Sequence, residues 1–91
     1  MKTTGYFENQ VLPKRSYLKR DWCERVRKNP ETRAVQENGR ISFWGWVPEF
    51  AEAGPQFKGR GRYLRVITEP DGETIHNAYP DRDYAKERGN E

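Results

Sequence analysis

Arg62 to Tyr84, RYLRVITEPDGETIHNAYPDRDY, is the stretch whose reading decides the fold. Apolar and polar residues alternate on either side of Glu69-Pro70-Asp71-Gly72, where Pro can preset φ and Gly can take a positive φ. The pattern predicts two strands, 62–68 and 73–79, joined by a tight turn. Register then decides which side chains share a face. A four-residue loop sets Thr68 opposite Glu73 and Arg65 opposite His76. Leu64, Val66, Ile75 and Tyr79 then form the core face, and Tyr63, Arg65, Thr74 and His76 the other. A three-residue bulged loop sets Ile67 opposite Ile75 and Arg65 opposite Asn77. The first separates apolar from polar residues more cleanly and is preferred.

Upstream, Asn38-Gly39 is a strong hairpin signal between a strand over 31–37 and a second over 40–47. A two-residue loop places Glu37 opposite Arg40, Ala34 opposite Phe43 and Arg33 opposite Trp44. Ile41, Phe43 and Val47 face the helices, while Trp44 and Trp46 share the other face, either as a second small core or as a binding platform. Before the hairpin, Leu18, Trp22 and Val26 recur every four residues with Cys23 beside them. They mark the core stripe of a helix over 17–28, stopped by Asn29-Pro30. Thr3 or Thr4 caps a shorter helix bearing Phe7 and Val11, ended by Pro13. Pro48 to Gly61 has no clean period and reads as a long loop. The expected fold is α+β, with two N-terminal helices on one face of a four-stranded antiparallel sheet. One domain spans 1–84, followed by a disordered tail over 85–91.

The chain has 91 residues, of which only 33% are hydrophobic and 34% charged. Mean hydropathy is −1.21. Twelve aromatic residues, in alternating runs, argue for a folded core rather than disorder. One cysteine excludes an internal disulfide, and with one histidine it leaves too few soft ligands for structural zinc. No metal or other cofactor is expected. No signal-like or membrane-length apolar run is present, so a cytoplasmic, non-membrane setting is expected. Bases concentrate in two segments. Residues 14–28 carry seven, and residues 53–68 carry Lys58, Arg60, Arg62 and Arg65 with no acid. Together they could form an anion-binding face; the alternative is a solvated helix flank plus a basic loop.

NGRISFWGWVPE (38–49), RYLRVIT (62–68) and DGETIHNAYPDRDY (71–84) resemble an uncharacterised bacterial domain family in the neighbourhood of RelE/ParE-like and BrnT-type ribonuclease toxins. The likeness covers roughly 17–84; the insert at 50–61 departs from the tighter loop of that group. The resemblance implies a toxin-like, RNA-acting protein, a metal-independent endoribonuclease in some branches, with an antitoxin-like protein partner.

Such cleavage needs an acid–base group and cations around the scissile phosphate. In the preferred register His76 supplies the acid or base, Arg65 the transition-state clamp, Arg82 a phosphate contact and Asp81 an orienting partner. The plainer alternative makes His76 a strand residue bonded to Tyr79 or Asp81. A non-catalytic module would bind nucleic acid through Lys58, Arg60, Arg62, Tyr63, Trp44 and Trp46, by phosphate contacts and stacking. A protein-interaction surface on the open sheet face is the third class.

Overall fold

The computed structural model describes residues 1–87. A π-helical turn, Phe7–Val11, runs into α1 (Leu12–Lys14), followed by α2 (Arg20–Lys28). The sheet comprises β1 (Thr32–Val35), β2 (Ile41–Val47), β3 (Arg62–Thr68) and β4 (Ile75–Pro80), and α3 (Arg82–Glu87) follows. The sheet is an antiparallel meander in the order β1-β2-β3-β4. The α+β class and the four strands are therefore as expected. The expected tail at 85–91 lies mostly outside the described residues, and the backbone of α3 continues to Glu87.

Thr4 caps the first helical segment, its hydroxyl oxygen accepting the Phe7 N–H at 3.1 Å. Pro13 does not end that segment but lies within α1. The widened π-turn ahead of it explains how. Leu12 N–H reaches back to the Phe7 carbonyl, and Pro13, which has no N–H to return, follows where an ordinary α-turn would crowd its ring. Phe7 and Val11 are buried with the stripe Leu18, Trp22, Cys23 and Val26 against Ile41, Phe43, Val47, Leu64, Val66 and Ile75. α2 lies so close to β2 that a Cβ on Gly45 would sit 3.1 Å from Val26 Cγ2. Burial pushes the Cys23 thiol up to about 12, so it is an inert core group.

Both hairpins differ in register from expectation. In the first, Arg33 pairs with Phe43 and Ala34 with Ser42. Gln36 N–H donates to Arg40 O, and Gly39 N–H, at φ +88°, donates to Gln36 O. The loop thus holds three residues, with Gly39 in the left-handed position of a bulge turn. Asn38 Oδ1 secures it by accepting the Arg40 N–H. In the second, Glu69-Pro70-Asp71-Gly72 turns as expected, closed by Gly72 N–H to Glu69 O at 3.0 Å. The Asp71 carboxylate, however, takes the N–H groups of Glu73 and Thr74, and Thr74 rather than Glu73 bonds back to Glu69. A bulge then shifts the ladder between Ile67 and Thr68. Arg65 consequently pairs with Tyr79, Ile67 with Asn77, and Ala78 takes the core position expected for Tyr79.

Two further corrections concern segments read as loop or exit. Pro48–Glu52 and Pro55–Phe57 are short 3₁₀ helices whose Phe50 and Phe57 enter the core. The two rings lie 4.9 Å apart, with Trp22 4.8 Å from Phe50 and Tyr17 5.1 Å from Phe57. The helices are also not confined to one face, since α3 covers part of the other. Tyr84 stacks on Trp44 at 5.3 Å and shares a 2.6 Å hydroxyl contact with Thr32. Phe50→Ala should therefore cost about 3–5 kcal/mol in urea unfolding; a loss under about 1 kcal/mol would mean that 48–61 is not core after all.

Candidate nucleic-acid interface

β2 and β3 present their even and odd residues, respectively, to the face opposite α2. Trp46 pairs with Tyr63 at the end of the ladder, their rings edge-to-face at 5.1 Å. Trp46 remains 49% exposed. Its indole rests on Gly61, where a Cβ would lie 2.6 Å from Trp46 Cζ2 and 2.9 Å from Pro48 Cα. Only a residue without a side chain lets the backbone pass here. The chain reaches this point through a turn in which Arg60 N–H bonds to Phe57 O, with Lys58 and Gly59 both at positive φ. Lys58 is thereby held at a turn tip, in a backbone conformation that costs a side chain on the order of 1 kcal/mol.

Trp46, Tyr63, Lys58, Arg60, Arg62, Asp81 and Arg82 line one cleft of about 710 Å³, together with Gln56, Phe57, Gly61 and Pro80. Seven of the ten residues singled out from the sequence thus meet in one place. Their roles differ. Arg62 donates to the carbonyls of Phe57, Arg60 and Gly61, and its guanidinium lies 5.5 Å over the Phe57 ring, so it braces the wall. Asp81 is also committed, with Oδ2 accepting the Trp44 indole N–H at 2.9 Å and Oδ1 accepting the Tyr84 N–H at 3.1 Å. Among the described residues, no carboxylate pairs with Lys58, Arg60 or Arg82. The helix flank behaves differently. Arg20, Arg25 and Arg27 pair with Glu8, Glu49 and Glu24. Lys14, Arg15, Lys19 and Lys28 of the same segment have no carboxylate partner among the described residues.

Three sequence candidates lie elsewhere. Trp44 is covered by Tyr84 and is no open platform. Arg65 crosses the same face, donating to Ser42 Oγ at 3.0 Å and Tyr79 OH at 2.9 Å, 5.0 Å over the Trp44 ring. Arg15, one of the seven bases of 14–28, also reaches Tyr79, its guanidinium 5.9 Å from the ring. His76 sits at the bulge and faces the amino-terminal segment. Its Nδ1 is 3.1 Å from Thr4 Oγ1, its ring stacks on Tyr6 at 4.8 Å, and Glu69 lies 3.8 Å away. It is not beside Arg65, because the register that paired them is not the one formed.

Burial, and then the positive Arg40, lower the His76 pKa from 6.5, against an opposing pull from Glu69. Nδ1 shares its hydrogen bond with the Thr4 hydroxyl, and the tautomer sets which of the two donates. As pH falls below about 6.5, the unfolded chain takes the proton first, so stability declines. His76→Gln should flatten that part of a thermal-stability profile between about pH 7.5 and 5.5. It should leave the lower-pH loss from Glu8 and Asp71, whose carboxyls are held down to about 2, unchanged. An identical slope in wild type and variant would remove His76 from the account.

Among the described residues no group of acidic, His and Cys side chains could hold a metal, and no helix is long and apolar enough to cross a membrane. No protein-family model, curated protein or solved structure matches the chain.

Proposed function

We propose that the cleft beside Trp46 binds single-stranded RNA. The observation that carries this reading is the convergence of Lys58, Arg60 and Arg82, none ion-paired among the described residues, around a half-exposed indole. Phosphates meet the cations at the rim, and one base stacks on Trp46, an arrangement that tolerates any base because each has a π-face. The two N-terminal helical segments and the meander sheet also support reading the fold as RelE/ParE-like. In that reading RNA is the target and an antitoxin-like protein the antagonist. His76 lies outside the cleft, which favours binding over metal-independent cleavage as its role.

Binding of a short fluorescent single-stranded RNA should be strongly salt-dependent. Trp46→Ala should cost about 1–3 kcal/mol of binding. Arg60→Ala and Arg82→Ala should each lower the slope of log affinity against log salt by about 0.7. Lys58→Gly is the sharpest variant. It relieves the left-handed strain, so stability should hold or rise while RNA affinity falls, separating function from folding. Equal affinity in all four variants would end this reading. Release of 2′,3′-cyclic phosphate ends from the same RNA without metal would restore the nuclease reading.

A further inference from the structure

A second, smaller pocket of about 310 Å³ opens between the start of α2 and the 3₁₀ helices that follow β2. Tyr17, Lys19, Trp22, Glu49, Glu52 and Ala53 are among the residues that line it. Packing fixes its two rings, since Trp22 lies 4.8 Å from Phe50 and Tyr17 5.1 Å from Phe57. The indole N–H of Trp22 singles the pocket out. Trp22 is only 6% exposed, and an indole N–H that deep ordinarily has an acceptor, as Trp44 has in Asp81. Trp22 has none among the described residues, yet no unbonded side-chain nitrogen among them is sealed from solvent. The small part of Trp22 that stays open therefore includes its N–H, and Trp22 opens onto this pocket.

Two opposite charges border the same pocket without meeting. Lys19 and Glu52 are both exposed, and neither has an ion-pair partner among the described residues. The other acid, Glu49, is already held by two guanidinium nitrogens of Arg25, at 2.7 and 2.8 Å. A simple anion here would be opposed by Glu52. A simple cation would face Lys19 and leave the Trp22 N–H unmet. A ligand carrying both charges, with the negative end an acceptor, satisfies all three groups. We propose that this pocket binds a free α-amino acid with an apolar side chain. The carboxylate accepts the Trp22 N–H and pairs with Lys19, the ammonium pairs with Glu52, and the side chain lies along Tyr17, Trp22 and Ala53. The volume stands at the small end of ligand pockets, about 300–1,000 Å³, which suits a ligand of this size. Each exposed charge alone adds little, so selectivity comes from holding both ends of one small molecule at once.

The test is an NMR titration of the full chain that follows the assigned Trp22 indole N–H, with L-leucine, L-methionine and L-phenylalanine as probes. At least one should move the Trp22 signal saturably and leave that of Trp44, already bonded to Asp81, in place. Against the tightest of them, its amide, which lacks the carboxylate, and its deaminated acid, which lacks the ammonium, should each bind about tenfold weaker or worse. Lys19→Met should erase the preference over the amide, and Glu52→Gln the preference over the deaminated acid. Both side chains are exposed, so the fold should be kept in each variant. No saturable shift with any probe at millimolar concentration overturns the proposal. So does equal binding of the amino acid and its two analogues, since the pocket would then take an apolar body without reading its charges. Preferences unchanged in both variants overturn it as well. Gln56 lines both this pocket and the RNA cleft and is left unaltered, so no outcome here decides RNA binding.

Discussion

Asp81 is the residue on which the far side of the sheet depends. Its backbone N–H extends the β3–β4 ladder to Tyr63 O. One carboxylate oxygen caps the Tyr84 N–H and the other takes the Trp44 indole N–H. Arg65 approaches to 3.9 Å, and the Asp81 side chain is only 12% exposed. A carboxylate this enclosed is tolerable because its lone pairs have donors and a cation lies near. Remove it and α3 loses its cap, Trp44 keeps a polar N–H under a ring, and Tyr84 loses the anchor that lays it across the sheet. One side chain thus turns a half-open sheet into a sheet packed on both faces.

That closure matters because the chain is short of apolar residues. With 33% hydrophobic content, a core on one face alone would be thin for 91 residues. Rings make up the deficit. Phe50 and Phe57 are drawn out of an otherwise polar connection to pack on Trp22 and Tyr17. Tyr84 adds a small aromatic layer with Trp44 and Tyr63 behind the sheet. The same economy builds the cleft, since Phe57 pins one end of the turn that carries Lys58 and Arg60 while Asp81 pins the start of α3, which carries Arg82.

Element type was legible wherever period spoke clearly: the α2 stripe, the four strands and the positions of both turns. Register was not, because it rests on single side chains acting on backbone. Asn38 and Asp71 each capture N–H groups that a minimal turn would leave to the strands, and either effect slides a ladder. The slip separated His76 from Arg65 and moved Tyr79 out of the core. It left the cleft residues together, because their meeting depends on strand order and on the ends of strands. The Arg15–Tyr79 contact and the cover over Trp44 were invisible for another reason: both come from contacts between segments far apart in sequence.

Charge distribution makes the last distinction. A net charge of +3 is too small to mark a nucleic-acid surface by itself, and three of the four bases on α2 are ion-paired. Arg20, Arg25 and Arg27 each face a glutamate, as does Arg40 with Glu69. Such surface pairs add little stability, but they offset the charge of Arg20, Arg25 and Arg27 on the helix flank. Among the described residues, Lys58, Arg60 and Arg82 line the cleft without a carboxylate partner, Arg62 is held by backbone carbonyls and the Phe57 ring, and the Asp81 carboxylate is already bound. The proposed RNA site therefore rests on cations meeting a half-exposed indole in one cleft, more than on the number of bases the cleft contains.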